Sequence, residues 1–266
     1  MGAGTALSDT HAVTASATAL EVANLRVRYG RGGVEALRGV DLKVPPGQTV
    51  ALIGTNGAGK STLLRCLVRL IEPTQGAVVI HGTDVTALSR GKLRAVRRDV
   101  GFVFQRFHLI PRLSAFHNVV HGAMGHRGTR CAWPLTSPRE VRADAMSSLE
   151  RVGLSALADR RVDTLSGGQQ QRVAIARMLM QRPSLILADE PVASLDPASA
   201  QAVMELMRSI AAERDVTVIM ALHQIDLALR YADRVVGLRN GVVEFDRPAV
   251  ECDAAQLNPV FAEAVS

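Results

Sequence analysis

The run GTNGAGKST at 54–62 places a lysine and a hydroxyl directly after the last glycine of a G-x-x-x-x-G-K-S pattern. It follows the apolar TVALI and precedes the helical TLLRCLVRL, the context in which this pattern forms a phosphate-binding loop. The backbone over Gly54, Thr55, Asn56, Gly57, Ala58 and Gly59 cradles phosphates. Lys60 supplies a point charge to the β- and γ-phosphates, Ser61 offers a hydroxyl to Mg2+, and Thr62 adds a phosphate contact from the first helical turn.

Three further runs deliver polar groups in the same manner. LILADEP ends in Asp189 and Glu190, with Pro191 closing the loop. Asp189 is placed to hold a magnesium shell and Glu190 to polarise an attacking water. VTVIMAL ends before His223; a lone histidine is more often a hydrogen-bonded structural residue, but beside a phosphate loop an imidazole near the γ-phosphate is the alternative. VGFVF ends before Gln105, which reads either as a sensor touching metal-bound water or as a strand terminator.

A second glycine-rich turn, LSGGQQQR, starts at Leu165. Ser166 as N-cap and Gln169 three residues later make a capping box. That explains the serine and the glutamine. It does not explain Gly167 and Gly168, each costing ~1 kcal/mol relative to alanine inside a helix. Glycines there suit close approach by another group, and a helix N-terminus suits phosphate.

These residues need elements to carry them. Continuous apolar runs of this length fit strands buried on both faces of a parallel sheet, and the helical patterns between them make the chain α/β. Ligands of such sheets bind beyond the carboxyl ends of the strands, so four polar strand ends imply one shared site. From about 106 to 165 the character changes. Histidines, Trp133, several prolines and a helical stretch from Arg139 to Val152 indicate an inserted helical subdomain. DLALRYADR reads as a helix, and Asn240–Gly241 as a two-residue hairpin turn. Residues 1–19 read as a disordered tail and 249–266 as a C-terminal extension.

Composition sets the outer bounds. The 266 residues are 47% hydrophobic but only 3% aromatic, so the core rests on aliphatic side chains. The net charge of +6 is carried almost wholly by arginine, the only lysines being Lys43, Lys60 and Lys92; it suits acidic partners without selecting one. Three widely spaced cysteines give no disulfide framework, and Cys66 reads as packing. No apolar stretch approaches the ~20 residues of a membrane span, and the start of the chain lacks the pattern of a signal peptide. A reducing, intracellular setting is expected. His117 and His121 are spaced for one helix face, but no third ligand or H-E-x-x-H pattern accompanies them.

Taken together, GTNGAGKST, Gln105, LSGGQ, LILADEP, SLD at 194–196 and His223 resemble the ATPase subunit of ATP-binding cassette (ABC) transporters, over about Leu20 to Pro248. The resemblance implies a P-loop NTPase fold with a mostly parallel core sheet and antiparallel β elements, using ATP and Mg2+. It implies Glu190, His223 and Gln105 in catalysis, Ser61, Gln105 and Asp189 at the magnesium, and Tyr29 stacked on adenine. It also implies a head-to-tail dimer with a second copy: Ser166, Gly167, Gly168 and Gln169 contact the ATP of the partner chain, and Asp196 communicates between sites.

Within the family, FQRFHLIPRLSAFHNVVHG and LHQIDLALRYADRVVGLRNGVVEFD look most like the ATPase of phosphonate importers. That implies transmembrane permease subunits, indirectly a periplasmic or lipid-anchored solute-binding protein, and a peripheral place on the cytoplasmic face of the inner membrane. Import of another solute, such as an amino acid or phosphate, is the alternative. A soluble cassette acting on DNA or ribosomes fits less well, because the chain has neither a long coiled-coil insertion nor a second cassette, and no nucleic acid partner is expected. His108, Ile110–Pro111 and residues 126–136 depart from the family's common pattern where the permease would dock.

Overall fold

In a computed structural model, which describes residues 18–30, 32–132, 137–253 and 257, the apolar runs are strands. The chain opens with β1 (Leu20–Arg28), β2 (Glu35–Val44) and β3 (Thr49–Ile53), then α1 (Lys60–Leu67), β4 (Gln75–Ile80), β5 (Thr83–Asp84), α2 (Arg90–Arg98) and β6 (Val100–Val103). There follow α3 (Ala115–Val120), α4 (Met124–Arg127), α5 (Arg139–Arg151) and α6 (Gly167–Leu179). The last part holds β7 (Leu185–Asp189), α7 (Pro197–Arg214), β8 (Thr217–Ala221), α8 (Ile225–Tyr231), β9 (Arg234–Arg239) and β10 (Val242–Pro248).

Six strands form a sheet in the order β10-β9-β3-β8-β7-β6, parallel throughout except for β10. Every residue of β3, β7 and β8 is buried, as continuous apolar runs require when both faces are covered. Because β3, β8, β7 and β6 run the same way, their carboxyl ends share one edge. Asp189 pairs with Ala221 in register, so the residues that follow each emerge side by side. The β9–β10 hairpin turns at Asn240 and Gly241 with φ of 50 and 78°, the type I′ geometry that an Asn-Gly pair favours.

A second sheet, β2-β1-β4-β5, is antiparallel. Its alternation is broken where Asn24 takes a φ of 45° and the register shifts between Val22 and Leu25, an irregularity that hides β1 from a period-two reading. One core joins this sheet, α1 and one face of the six-stranded sheet. The opposite face is covered by α6, α7 and α8, with α3 and α5 packed on α6 in the same core. The described helices between β6 and β7 are tied to the body through α6. The loop before α3 is pinned by the fully buried Asn118, whose side chain accepts from the Ile110 amide at 2.7 Å and donates to the Ile110 and Ser114 carbonyls at 3.1 and 3.0 Å.

The edges of the expected domain shift slightly. Ala19, placed in the tail, is buried, and its amide bonds the Val44 carbonyl at 2.8 Å, so ordered pairing starts there. In the expected C-terminal extension, Ala249 and Leu257 are buried in the main core. The remainder of both segments, and Trp133 to Thr136, lie outside the described residues. Among the described residues no helix is long and apolar enough to cross a membrane.

Candidate functional site

The phosphate loop is shaped by positions that admit no side chain. Gly59, with φ 108°, would bring a Cβ within 2.8 Å of the Ala36 carbonyl, and Gly54, with φ 148°, would drive one into the Leu238 carbonyl. No side chain caps α1, so its first-turn amides face the loop as donors for an anion. Lys60 is 4% exposed and its Nζ donates to the Gly54 and Thr55 carbonyls at 2.7 and 3.1 Å. Burial lowers the Lys60 pKa, while the nearby Glu190 and Asp189 carboxylates oppose that shift.

Asp189 ends β7 at 1% exposure, and both its oxygens are held from α1: Ser61 Oγ donates to Oδ1 at 2.6 Å and Arg65 Nη2 to Oδ2 at 3.0 Å. Glu190 adopts a left-handed φ of 51°, with its amide on the Ala221 carbonyl at 3.2 Å. Such a conformation costs a non-glycine residue on the order of 1–3 kcal/mol and aims its carboxylate away from the strand direction. His223 leaves the adjacent strand end, its Nε2 lying 2.5 Å from Glu190 Oε1. Lys60, Ser61, Asp189, Glu190 and His223 thus meet at one sheet edge.

Gln105 stands apart from this group. It is exposed, it follows the outermost strand of the parallel edge three strand spacings from β3, roughly 14 Å, and no hydrogen bond joins it to Ser61 or Asp189 among the described residues. It lines a cavity of about 600 Å³ with Ser194 and Gln170, between the segment after β6 and the start of α6. Arg177 of α6 fixes that segment, donating to the His108 and Phe107 carbonyls at 2.6 and 3.1 Å.

At α6 the capping box is present: the Gln169 amide donates to Ser166 Oγ at 3.3 Å, and the Ser166 amide to Gln169 Oε1 at 3.0 Å. The two glycines separate in role. Gly168 is buried, and a Cβ there would lie 2.8 Å from Ser199 Oγ and 2.9 Å from its Cβ, so packing against α7 accounts for it. A Cβ on Gly167 would meet nothing nearer than Leu195 Cδ2 at 3.5 Å, so nothing within the chain demands that glycine. Asp196 N-caps α7, accepting from the Ser199 amide at 3.0 Å, and hydrogen bonds from the Ser199 hydroxyl and amide hold its carboxyl below the usual range. Tyr29 is 48% exposed beside the loop, its hydroxyl 3.2 Å from Thr62 Oγ1.

A hydroxyl and a carboxylate in contact, Ser61 and Asp189, are hard oxygen donors of the kind Mg2+ takes. Among the described residues no cluster of three or more His, Cys, Asp or Glu could hold a metal alone. Of the two histidines spaced for one helix face, His117 has its Nδ1 2.8 Å from Ser114 Oγ at the α3 cap. Arg65 gives no signal in the sequence, since its partner lies 124 positions downstream.

A family model described as ABC transporter matches residues 37–193. The chain is 51% identical over 233 residues to the phosphonates import ATP-binding protein PhnC of Nocardia farcinica, covering 88% of this chain and 87% of the relative. It is 54% identical over 219 residues to the phosphate-import ATP-binding protein PhnC of Mycolicibacterium smegmatis, covering 82% and 83%. Among solved structures, a dimeric ATP-binding cassette in a post-hydrolysis state with ADP and Pi aligns at TM-score 0.77 and 36% identity, over 86% of this chain and 98% of that one. The cbiO1 protein of Clostridium perfringens, part of the ABC transporter complex cbiONQ, aligns at TM-score 0.78 and 31% identity, over 89% and 90%.

Proposed function

The chain belongs to the ABC transporter family, and on that footing we propose that it is the ATP-hydrolysing subunit that powers import of a phosphonate, or a related phosphorus oxyanion, through a membrane permease. The observation that carries the ATPase reading is the convergence of Lys60, Ser61, Asp189, Glu190 and His223 on one edge of the sheet. Lys60 and the loop amides bind the phosphates. Ser61 and Asp189 hold Mg2+, which when bound neutralises phosphate charge as the terminal bond breaks. Glu190 orients and polarises water, and His223 holds the Glu190 carboxylate and faces the γ-phosphate. Gln105 reaches the metal only by moving in from the end of β6, beside β7, where it stands apart from Ser61 and Asp189, and Tyr29 stacks on the adenine after giving up Thr62.

One chain supplies half of each site. Gly167, open in this chain, is where Ser166, Gly167, Gly168 and Gln169 receive the ATP of a second copy arranged head to tail, with Asp196 beside that contact relaying between the sites. A cavity of about 340 Å³, with Leu70, Phe102 and Phe104 beside Arg97, Arg177 and Gln181 in its lining, suits a permease segment that offers both apolar and polar side chains. Leu70 is 49% exposed there, and Phe102 and Phe104 stack at 4.2 Å between ring centres. On this reading the chain sits on the cytoplasmic face of the membrane as a peripheral subunit. A solute-binding protein joins only through the permease.

The phosphate-import name of the M. smegmatis relative favours a second reading, in which the cargo is phosphate itself. The test is ATPase stimulation in the assembled complex by the binding protein loaded with methylphosphonate, phosphate or an amino acid. Stimulation by methylphosphonate supports the first reading, by phosphate alone the second, and by an amino acid alone contradicts both.

A further inference from the structure

We propose that Arg65 is a positioning residue for the metal site: it holds Asp189 Oδ2 so that Oδ1 stays turned toward Ser61 and the ion bound there. The proposal rests on the ATPase reading and adds to it a residue outside the phosphate loop and the strand ends.

The argument starts from burial. A carboxylate exposed by only 1% needs a partner on each oxygen, because an unpaired buried charge is costly. Lys60 does not serve Asp189 directly, since its ammonium is engaged by the Gly54 and Thr55 carbonyls. The two groups that grip Asp189 are Ser61 and Arg65, four residues apart and hence on one face of α1. When the Ser61 hydroxyl turns to a metal ion it releases Oδ1. Arg65 then remains as the hydrogen bond that fixes the plane of the carboxylate. A donor that orients a metal-binding carboxylate typically changes metal affinity about 10–100-fold when removed.

The Arg65 side chain bonds Asp189 and, among the described residues, no residue of the phosphate loop, and it is 43% exposed, so replacing it opens no core cavity. The expected defect is confined to the metal. In Arg65→Met, Mn2+ binding to the ATP-loaded full chain, read by electron paramagnetic resonance, weakens about tenfold. Fluorescent ATP binding in EDTA is unchanged, and Arg65→Lys, which keeps the charge and one donor, falls between. Unchanged Mn2+ affinity in Arg65→Met overturns the proposal, as does a lowered melting temperature with metal affinity intact. Arg65→Gln provides the same comparison if the methionine variant does not fold. Mg2+-dependent hydrolysis by the unmodified chain, measured alongside, tests the ATPase reading separately, because Mn2+ affinity is read without turnover.

Discussion

His223 Nε2 lies 2.5 Å from Glu190 Oε1, a contact made between the ends of two adjacent parallel strands. With the imidazole 32% and the carboxylate 13% exposed, the pair is neither sealed in the core nor free in solvent, which suits groups that must meet water and a phosphate. The left-handed backbone at Glu190 is what turns its carboxylate toward the next strand.

His223→Ala removes the group that orients Glu190 and leaves the phosphate loop untouched. The turnover number is expected to fall about 10²-fold or more, the scale of a positioned acid–base group, with ATP affinity nearly unchanged. Steady-state hydrolysis and nucleotide titration check this; equal losses in both would place His223 in binding instead.

The strand ends of this site are legible in the sequence because a strand buried on both faces has no polar face to interrupt it: TVALI, LILAD and TVIMA each become one buried strand. The capping box is legible because Ser166 and Gln169 are three residues apart. What escapes is set by tertiary contact. Arg65 finds Asp189, Arg177 finds the carbonyls of Phe107 and His108, and Gly168 answers to Ser199, all across long separations. The strand β1 escapes for a local reason, since the irregularity at Asn24 breaks its alternation.

The two signature glycines are separable by substitution. Gly168→Ala forces a Cβ against Ser199 and is expected to destabilise the chain by about 1–3 kcal/mol, the usual cost of overpacking. Combining it with Ser199→Gly should recover much of the loss in thermal melts. Gly167→Ala has room within the chain and should melt like the unmodified protein yet hydrolyse ATP poorly, because its methyl group meets the partner's nucleotide. Normal hydrolysis by Gly167→Ala would remove the intermolecular role.

Lys60 gives the site an alkaline limb. Burial puts its pKa below the ordinary 10.5, and a bound polyphosphate favours the ammonium. ATP affinity is therefore full below the folded-state pKa of Lys60 and declines as pH rises through it, starting earlier than an ordinary lysine allows. For folding the sign is opposite: the unfolded chain binds the proton more tightly, so the contribution of this group to stability increases over the same window. Fluorescent nucleotide titrations paired with melts across that range check both trends; ATP affinity that holds constant up to pH 10.5 contradicts the first.

The three thiols should differ in reactivity. Burial pushes the Cys66 thiol up to about 12 and raises those of Cys131 and Cys252, but Cys66 and Cys131 are buried, whereas Cys252 is only half-buried. At pH 8 the thiolate fraction of Cys66 is on the order of 10⁻⁴, too small for ready labelling. A disulfide reagent should modify Cys252 first in the native chain and reach the other two only on unfolding. Rapid native labelling in Cys252→Ser would contradict this.

The central claim, that this sheet edge is an ATPase site completed by a second copy, is tested most directly by Glu190→Gln. The amide preserves shape and loses the charge that polarises water. The variant is expected to bind ATP as the unmodified chain does, to hydrolyse it at least ~10³-fold more slowly, and to accumulate as an ATP-bound dimer in size-exclusion chromatography. Hydrolysis at the unmodified rate would contradict the account.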